Sequence, residues 1–223
     1  MLQPVITKNT LQFLNELKKN NNRDWFTEHK ATFKKHEKEV KTFLNSVTEL
    51  VRSHDEIEKL KVFRIYRDIR FSKDKTPYKH NFSGSLSRSG KERRGGYYIH
   101  IQPQGSFIAT GFWNPEKEDL LRIRKEWEVD ASDLRKIIND TKFKNVWGNL
   151  AGEELKTAPK GFDKEDPNID LIRKKQFIFV KNFTDAQVTS ANFAEAINEC
   201  FVAIRPYFDL MSTIFTTNLN GES

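Results

Sequence analysis

Between residues 64 and 79 the chain reads RIYRDIRFSKDKTPYK, in which Arg64, Arg67, Arg70, Lys73, Lys75 and Lys79 supply six cations and Asp68 and Asp74 two carboxylates. Guanidinium groups at this density suit one kind of chemistry: paired N–H donors in a fixed fork grip phosphate or carboxylate oxygens. At a two-residue period Arg64, Tyr66, Asp68 and Arg70 share one strand face, with same-face neighbours ~6.6 Å apart, so Asp68 is placed to orient the arginines. Asp74, Lys75 and Tyr78 follow in a segment that Pro77 keeps extended at Thr76. Arg67 falls on the opposite face, between Ile65 and Ile69. A buried charge without a partner is costly, so Arg67 must either find a carboxylate inside or emerge through a bulge.

The charge is concentrated here. From Lys61 to Arg94 there are eleven basic residues, Lys91 among them, against three acidic ones. That window nets +8 while the whole chain nets +7, so everything outside it nets −1. A local field of this kind points to an anionic partner. The competing structural reading is a charged strand that guards a sheet edge, with pairs such as Arg64–Asp68 holding it and no ligand at all.

The elements that must carry these residues follow from periodicity. Leu11, Leu14 and Leu17 predict a short amphipathic helix ending at Asn20–Asn22, and Asp24 is a candidate cap for a second, long helix running from Trp25 to Val51. His29 lies on its apolar stripe, where a buried, hydrogen-bonded histidine is expected. Val62–Ser72 alternates as a strand. Tyr97–Gln102 and Phe107–Trp113, joined at Pro103–Ser106, predict a β-hairpin, with a weaker strand over Phe82–Leu86. Helical periodicity returns in Leu120–Trp127 and Leu134–Ile138, with Asp130 or Ser132 as a cap. Phe177–Lys181 reads as a further strand, and Ala191–Phe215 as a closing helix that Pro206 breaks or kinks. The fold class expected is α+β: a central, mainly antiparallel sheet flanked by N-terminal, middle and C-terminal helices. Eighteen phenylalanines spread from Phe13 to Phe215, with no Pro/Gly/Ser linker, predict one domain over residues 1–223.

Several chemistries are excluded by spacing. A phosphate-binding P-loop would need Gly, four residues and Gly-Lys-Ser/Thr, whereas Gly90-Lys91 is followed by Glu92 and preceded by Ser85 at the first glycine position. The histidines (His29, His36, His54, His80, His100) form no metal-ligand spacing, and Asp163, Asp166 and Asp170 lack the pattern of a calcium loop, so neither metal nor cofactor is expected. A lone Cys200 within a helical pattern reads as a small buried hydrophobe. Apolar runs such as Phe177–Val180 fall far short of the ~20 residues of a membrane span. MLQPVITKNT lacks the order of a secretory leader, so a cytoplasmic protein with no membrane partner is expected.

The motif Arg64-x-x-Arg67-Asp68-x-Arg70-Phe71, followed by Asp74-Lys75 and Tyr78, resembles the signature of an uncharacterised bacterial family, domain of unknown function 2461. The resemblance extends to NNNRDWFTEHK (Asn20–Lys30), YYIHIQPQGSFIATGFW (Tyr97–Trp113), and LKTAPKGFDKEDP with LIRKKQF (Leu155–Phe177). Asp166 stands where that family often has a histidine before the proline, which argues against histidine chemistry there. The resemblance implies a single domain of this length and no established activity. It further implies that the loops carrying Arg23, the arginine segment, and Lys160 with Lys175 meet.

Two function classes follow. The first is binding, with or without catalysis, of a phosphorylated or other anionic small ligand through Arg64, Arg67, Arg70, Lys75, Tyr78 and Arg23, with Asp68 and Asp74 interleaved. His100, on the Tyr98/Gln102 face of the hairpin, is the candidate acid–base partner of Asp68. The alternative is nucleic acid, with the 61–94 segment on backbone phosphates and Tyr66, Tyr97 or Tyr98 stacking on bases. The carboxylates among the arginines favour the small ligand.

Overall fold

The computed structural model describes residues 4–90 and 92–217; Lys91 lies outside the described residues. Helix α1 (Lys8–Lys19) begins where the Thr7 hydroxyl accepts the Thr10 N–H and ends at Asn20. Its Leu14 and Leu17 are fully buried, as their spacing requires. Helix α2 (Arg23–Glu28) is capped by Asn22, whose side chain accepts the Trp25 N–H at 2.9 Å. Asp24, the cap expected from the sequence, sits inside the first turn instead. The long helix expected from Trp25 onward is interrupted at His29, and α3 runs from Lys30 to Arg52. His29 is half-buried, stacks on Trp25 at 3.9 Å between ring centroids and bonds through Nδ1 to the Trp25 carbonyl at 2.8 Å.

The five strands are β1 (Ile57–Val62), β2 (Phe82–Arg88), β3 (Gly96–Ile101), β4 (Ser106–Phe112) and β5 (Phe177–Phe183). They form one antiparallel sheet in the order β1-β2-β3-β4-β5. Helices α4 (Lys117–Val129), α5 (Ser132–Asn139), α6 (Thr141–Trp147) and α7 (Ile169–Ile172) lie between β4 and β5 in sequence, and α8 (Asp185–Val188), α9 (Phe193–Ala203) and α10 (Arg205–Thr216) follow. The fold is α+β, as its element order predicts. Pro206 does separate α9 from α10, sitting in the first turn of the latter, where its missing N–H has no partner to lose. The Asp130 carboxylate takes the Ser132 N–H at the start of α5.

The expected strand over Val62–Ser72 is not formed. Only Val62 belongs to a strand, and residues 63–81 are an irregular loop between β1 and β2. Pairing persists loosely at its base: Phe63 N–H reaches Ser83 O, Lys79 N–H reaches Ile65 O, Tyr66 bridges Tyr78, and Arg67 N–H reaches Pro77 O. Beyond that point the two aspartates capture amides that a ladder would need. Asp68 Oδ1 accepts the Arg70 N–H at 3.3 Å and Asp74 Oδ1 the Thr76 N–H at 2.9 Å. These i to i+2 bonds make turns out of a segment whose side chains alternate like a strand.

The chain forms two compact units. The first comprises residues 4–87, 98–108 and 182–199; the second 88–97, 109–181 and 200–217, each range being taken within the described residues. The first is filled by Val40, Phe43, Leu44 and Val47 of α3, with Phe193 parallel to Phe43 at 5.5 Å and edge-on to Phe183 at 5.1 Å. In the second, Phe179 stands edge-on to Phe143 and Tyr207, and the buried Tyr207 hydroxyl donates to Phe177 O. Burial pushes that phenol above its usual range. Cys200 is buried.

Candidate functional site

All nine residues that the sequence nominates belong to the first unit: Arg23, Arg64, Arg67, Asp68, Arg70, Asp74, Lys75, Tyr78 and His100. The base of the 63–81 loop is fastened by Tyr78. Its ring lies parallel to Phe26 at 4.0 Å, with Tyr66 tilted against it at 5.5 Å. The Asn21 side chain reads the Tyr78 backbone in both directions, donating to its carbonyl at 2.9 Å and accepting its N–H at 3.0 Å. Burial raises the Tyr78 phenol pKa, Tyr66 adds to the rise, and the charge of Arg23 opposes it. Arg23 therefore stands near Tyr78, and its guanidinium makes no hydrogen bond or ion pair among the described residues.

Above this base the charges pair with one another. Arg67, the residue that alternation would bury, turns into the loop and bonds to Asp74 and Thr76, with Ser72 at 3.4 Å. Its carboxylate comes from the loop rather than from the core. Asp74 is held down to about 2, first by the Thr76 N–H, then by Arg67 and the Thr76 hydroxyl. Arg70 clasps Asp68 through Nε at 3.0 Å and Nη2 at 2.7 Å, lowering the carboxyl and raising the guanidinium. Lys75 donates to Ile69 O at 3.0 Å. Five of the nominated cations and acids, Arg67, Asp68, Arg70, Asp74 and Lys75, thus spend their bonding on the shape of the loop. At its tip Phe71 is 97% exposed.

Arg64 is different. It is exposed and has no hydrogen bond or ion pair among the described residues. Its charge, together with burial as the larger cause, lowers the pKa of Lys79, which lies over the Phe63 ring at 5.6 Å. His80 is half-buried; burial lowers its pKa, and Lys18 and Arg67 lower it further against a weak opposing pull from Asp74. His100 is lowered chiefly by burial, opposed by its hydrogen bond to Gln102, with His80 and Lys79 lowering it further. Its ring nitrogens face Tyr98 Oη at 3.1 Å and Gln102 Oε1 at 3.2 Å. Asp68 is clasped by Arg70, and among the described residues no hydrogen bond joins it to His100. Lys18, Arg64, Lys79, His80 and His100 therefore stand close enough for their charges to be felt within the group, beside two carboxylates already engaged elsewhere: Asp74, bonded to Arg67, and Asp68, clasped by Arg70 and also lowered by Arg64.

A family model described as a conserved hypothetical protein (DUF2461) matches residues 9–210. The chain belongs to that family. No curated protein and no solved structure matches it. The family match spans every residue of the cluster, and also the loop segments of the second unit on which the resemblance rests. There Lys175 pairs with Glu153 at 2.7 Å. Arg88 and Arg94, further members of the basic window, are likewise engaged within the second unit. Arg88 is buried with its guanidinium over Phe208 at 4.3 Å, and Arg94 pairs with Asp119.

Sequence reasoning did not nominate Lys18, Lys79 or His80 for this cluster. Lys79 and His80 carry a usable signal: they follow Tyr78 at the loop's return, where the Tyr66–Tyr78 bridge sets them opposite the segment from Phe63 to Ile65. Lys18 has none, since only the placement of the end of α1 brings it near His80. Chemically, cations beside imidazoles lowered by burial and nearby charge suit an oxyanion, whose negative charge would favour the protonated forms.

Proposed function

We propose that the protein binds a phosphorylated or other anionic small ligand on its first unit, with Arg64, Lys79 and His80 meeting the anion and His100 beside them. The observation that supports this reading is the lowering of Lys79, His80 and His100, first by burial and then by neighbouring cations, next to an Arg64 with no hydrogen bond or ion pair among the described residues. Arg67, Asp68, Arg70, Asp74, Lys75 and Tyr78 hold the loop that presents these groups. Arg23 lies at the loop base, where it reinforces the positive field.

Titration with sulfate and with inorganic phosphate, followed by calorimetry, tests the reading. Removing one charge-assisted contact costs roughly a factor of ten or more in affinity. Arg64→Ala and Lys79→Ala are each expected to show that loss. Arg93→Ala, in the second unit and bonded to Ser89 O, is expected to bind as the unaltered protein does. Equal losses in Arg64→Ala and Arg93→Ala would mean a diffuse field and no discrete site.

A further inference from the structure

The sheet face beside these cations is aromatic where an open face is ordinarily polar. Along β3, Tyr97, Ile99 and Ile101 are buried at 1%, 0% and 0% exposure, while the alternate residues Tyr98 and His100 are half-buried on the other side. His100 lies parallel to Phe107 of β4 at 4.6 Å. Tyr98 tilts against Phe107 at 5.7 Å and stands edge-on to Phe63 at 6.1 Å. Two ammonium groups sit at the Phe63 ring, Lys61 at 5.2 Å and Lys79 at 5.6 Å. Four flat unsaturated rings thus run from a cationic rim across a face with no carboxylate bonded to any of them among the described residues.

We infer that the anion bound at Arg64, Lys79 and His80 carries a planar heteroaromatic ring: the ligand is a nucleotide unit, its phosphate at the rim and its base against the Phe63–Tyr98–Phe107 rings. This rests on the anion-binding reading above. An inorganic anion has no use for the rings. A sugar phosphate would be recognised through its hydroxyls, chiefly by carboxylates and free amides, whereas at these rings the Tyr98 hydroxyl and the Gln102 side chain are both turned to His100. Base–aromatic stacking tolerates any base because each has a π face, and it combines with cations that meet the phosphate.

The same chemistry is offered by a free mononucleotide and by a nucleotide within a single strand. Calorimetry with sulfate, ribose 5-phosphate, AMP and the oligonucleotide (dA)8 separates the cases. AMP is expected to bind about tenfold tighter than ribose 5-phosphate, the scale of one stacked base. Phe107→Leu, and independently Tyr98→Leu, are expected to remove that gain while sulfate affinity stays as it was, which also shows that the variants are folded. AMP and ribose 5-phosphate binding alike, with sulfate still bound, overturns the nucleotide inference and leaves the anion site standing. No binding of any of the four removes both. If (dA)8 binds tighter than AMP and Phe71→Ser abolishes the difference, the exposed Phe71 takes a second base and the nucleotide unit belongs to a strand. An equal affinity of (dA)8 and AMP assigns it to the free nucleotide.

Discussion

Replacing Asn21 by alanine removes both hydrogen bonds that fasten Tyr78, and with it the return of the 63–81 loop, to the turn between α1 and α2. Each bond is made to a backbone group of a residue that is 6% exposed, so water cannot fully replace it. At about 1 kcal/mol net per bond the loss is about 2 kcal/mol. For a chain of this length that corresponds to a fall in Tm of about 4–8 °C. Asn21→Asp keeps an acceptor for the Tyr78 N–H and loses the donor to its carbonyl, so about half the effect is expected. Scanning calorimetry measures the midpoint, and native-state hydrogen exchange reports whether the Arg67 and Lys79 amides, which pair across the loop base, lose protection. Sulfate affinity should fall as well, because Lys79 and His80 directly follow Tyr78. An unchanged midpoint in Asn21→Ala, with both amides protected as before, would refute the claim that Asn21 anchors the loop.

Gly111 holds φ at +114° and an added Cβ would strike the Phe177 carbonyl, so Gly111→Ala is expected to cost about 2 kcal/mol or more, read as a lowered urea midpoint. In Arg67→Ala the Asp74 carboxyl should titrate above its present value of about 2 yet stay below 3.8, because the Thr76 N–H is the larger cause of its depression; an NMR titration of Asp74 that does not move would contradict the pairing. His80 and His100 are held below 6.5 in the free protein. Stability from keeping them neutral is therefore full above pH ~6.5 and is lost as pH falls toward their lowered values. A bound anion favours their charged forms, so sulfate binding should take up protons and strengthen as pH falls below 6.5, and His80→Gln should flatten that slope in calorimetry.

The parts of the fold that could be read from the sequence are those whose signal is local. Leu11, Leu14 and Leu17 specify one helix face without reference to the rest of the chain, and the alternation of Tyr97 to Ile101 specifies a strand whose partner follows after a four-residue turn. Val62–Ser72 alternates equally well and forms a loop, because carboxylates two residues upstream take the amides of Arg70 and Thr76. Alternation describes side chains and is blind to that competition for backbone donors. The same limitation governs the site. Which arginines are occupied depends on which acid each one meets: Arg70 clasps Asp68 two residues away, Arg67 finds Asp74 across the loop, and Arg64, whose charge reaches Asp68, makes no ion pair among the described residues. Lys18 joins through the packing of α1, a relation with no trace in the neighbourhood of the motif.

The exposed Phe71 has a practical consequence for handling the protein. From Asp68 to Thr76 no backbone group is held by strand pairing, so this span can be drawn into the extended cleft of a chymotrypsin-like protease with Phe71 as its aromatic anchor. A single scission after Phe71 would leave Arg67 bonded to Asp74 and Thr76 on the far fragment, and Tyr66 bridged to Tyr78. The nicked chain would migrate as one particle under native conditions and separate only in denaturant, dividing the cluster between a fragment bearing Arg64 and one bearing Lys79, His80 and His100.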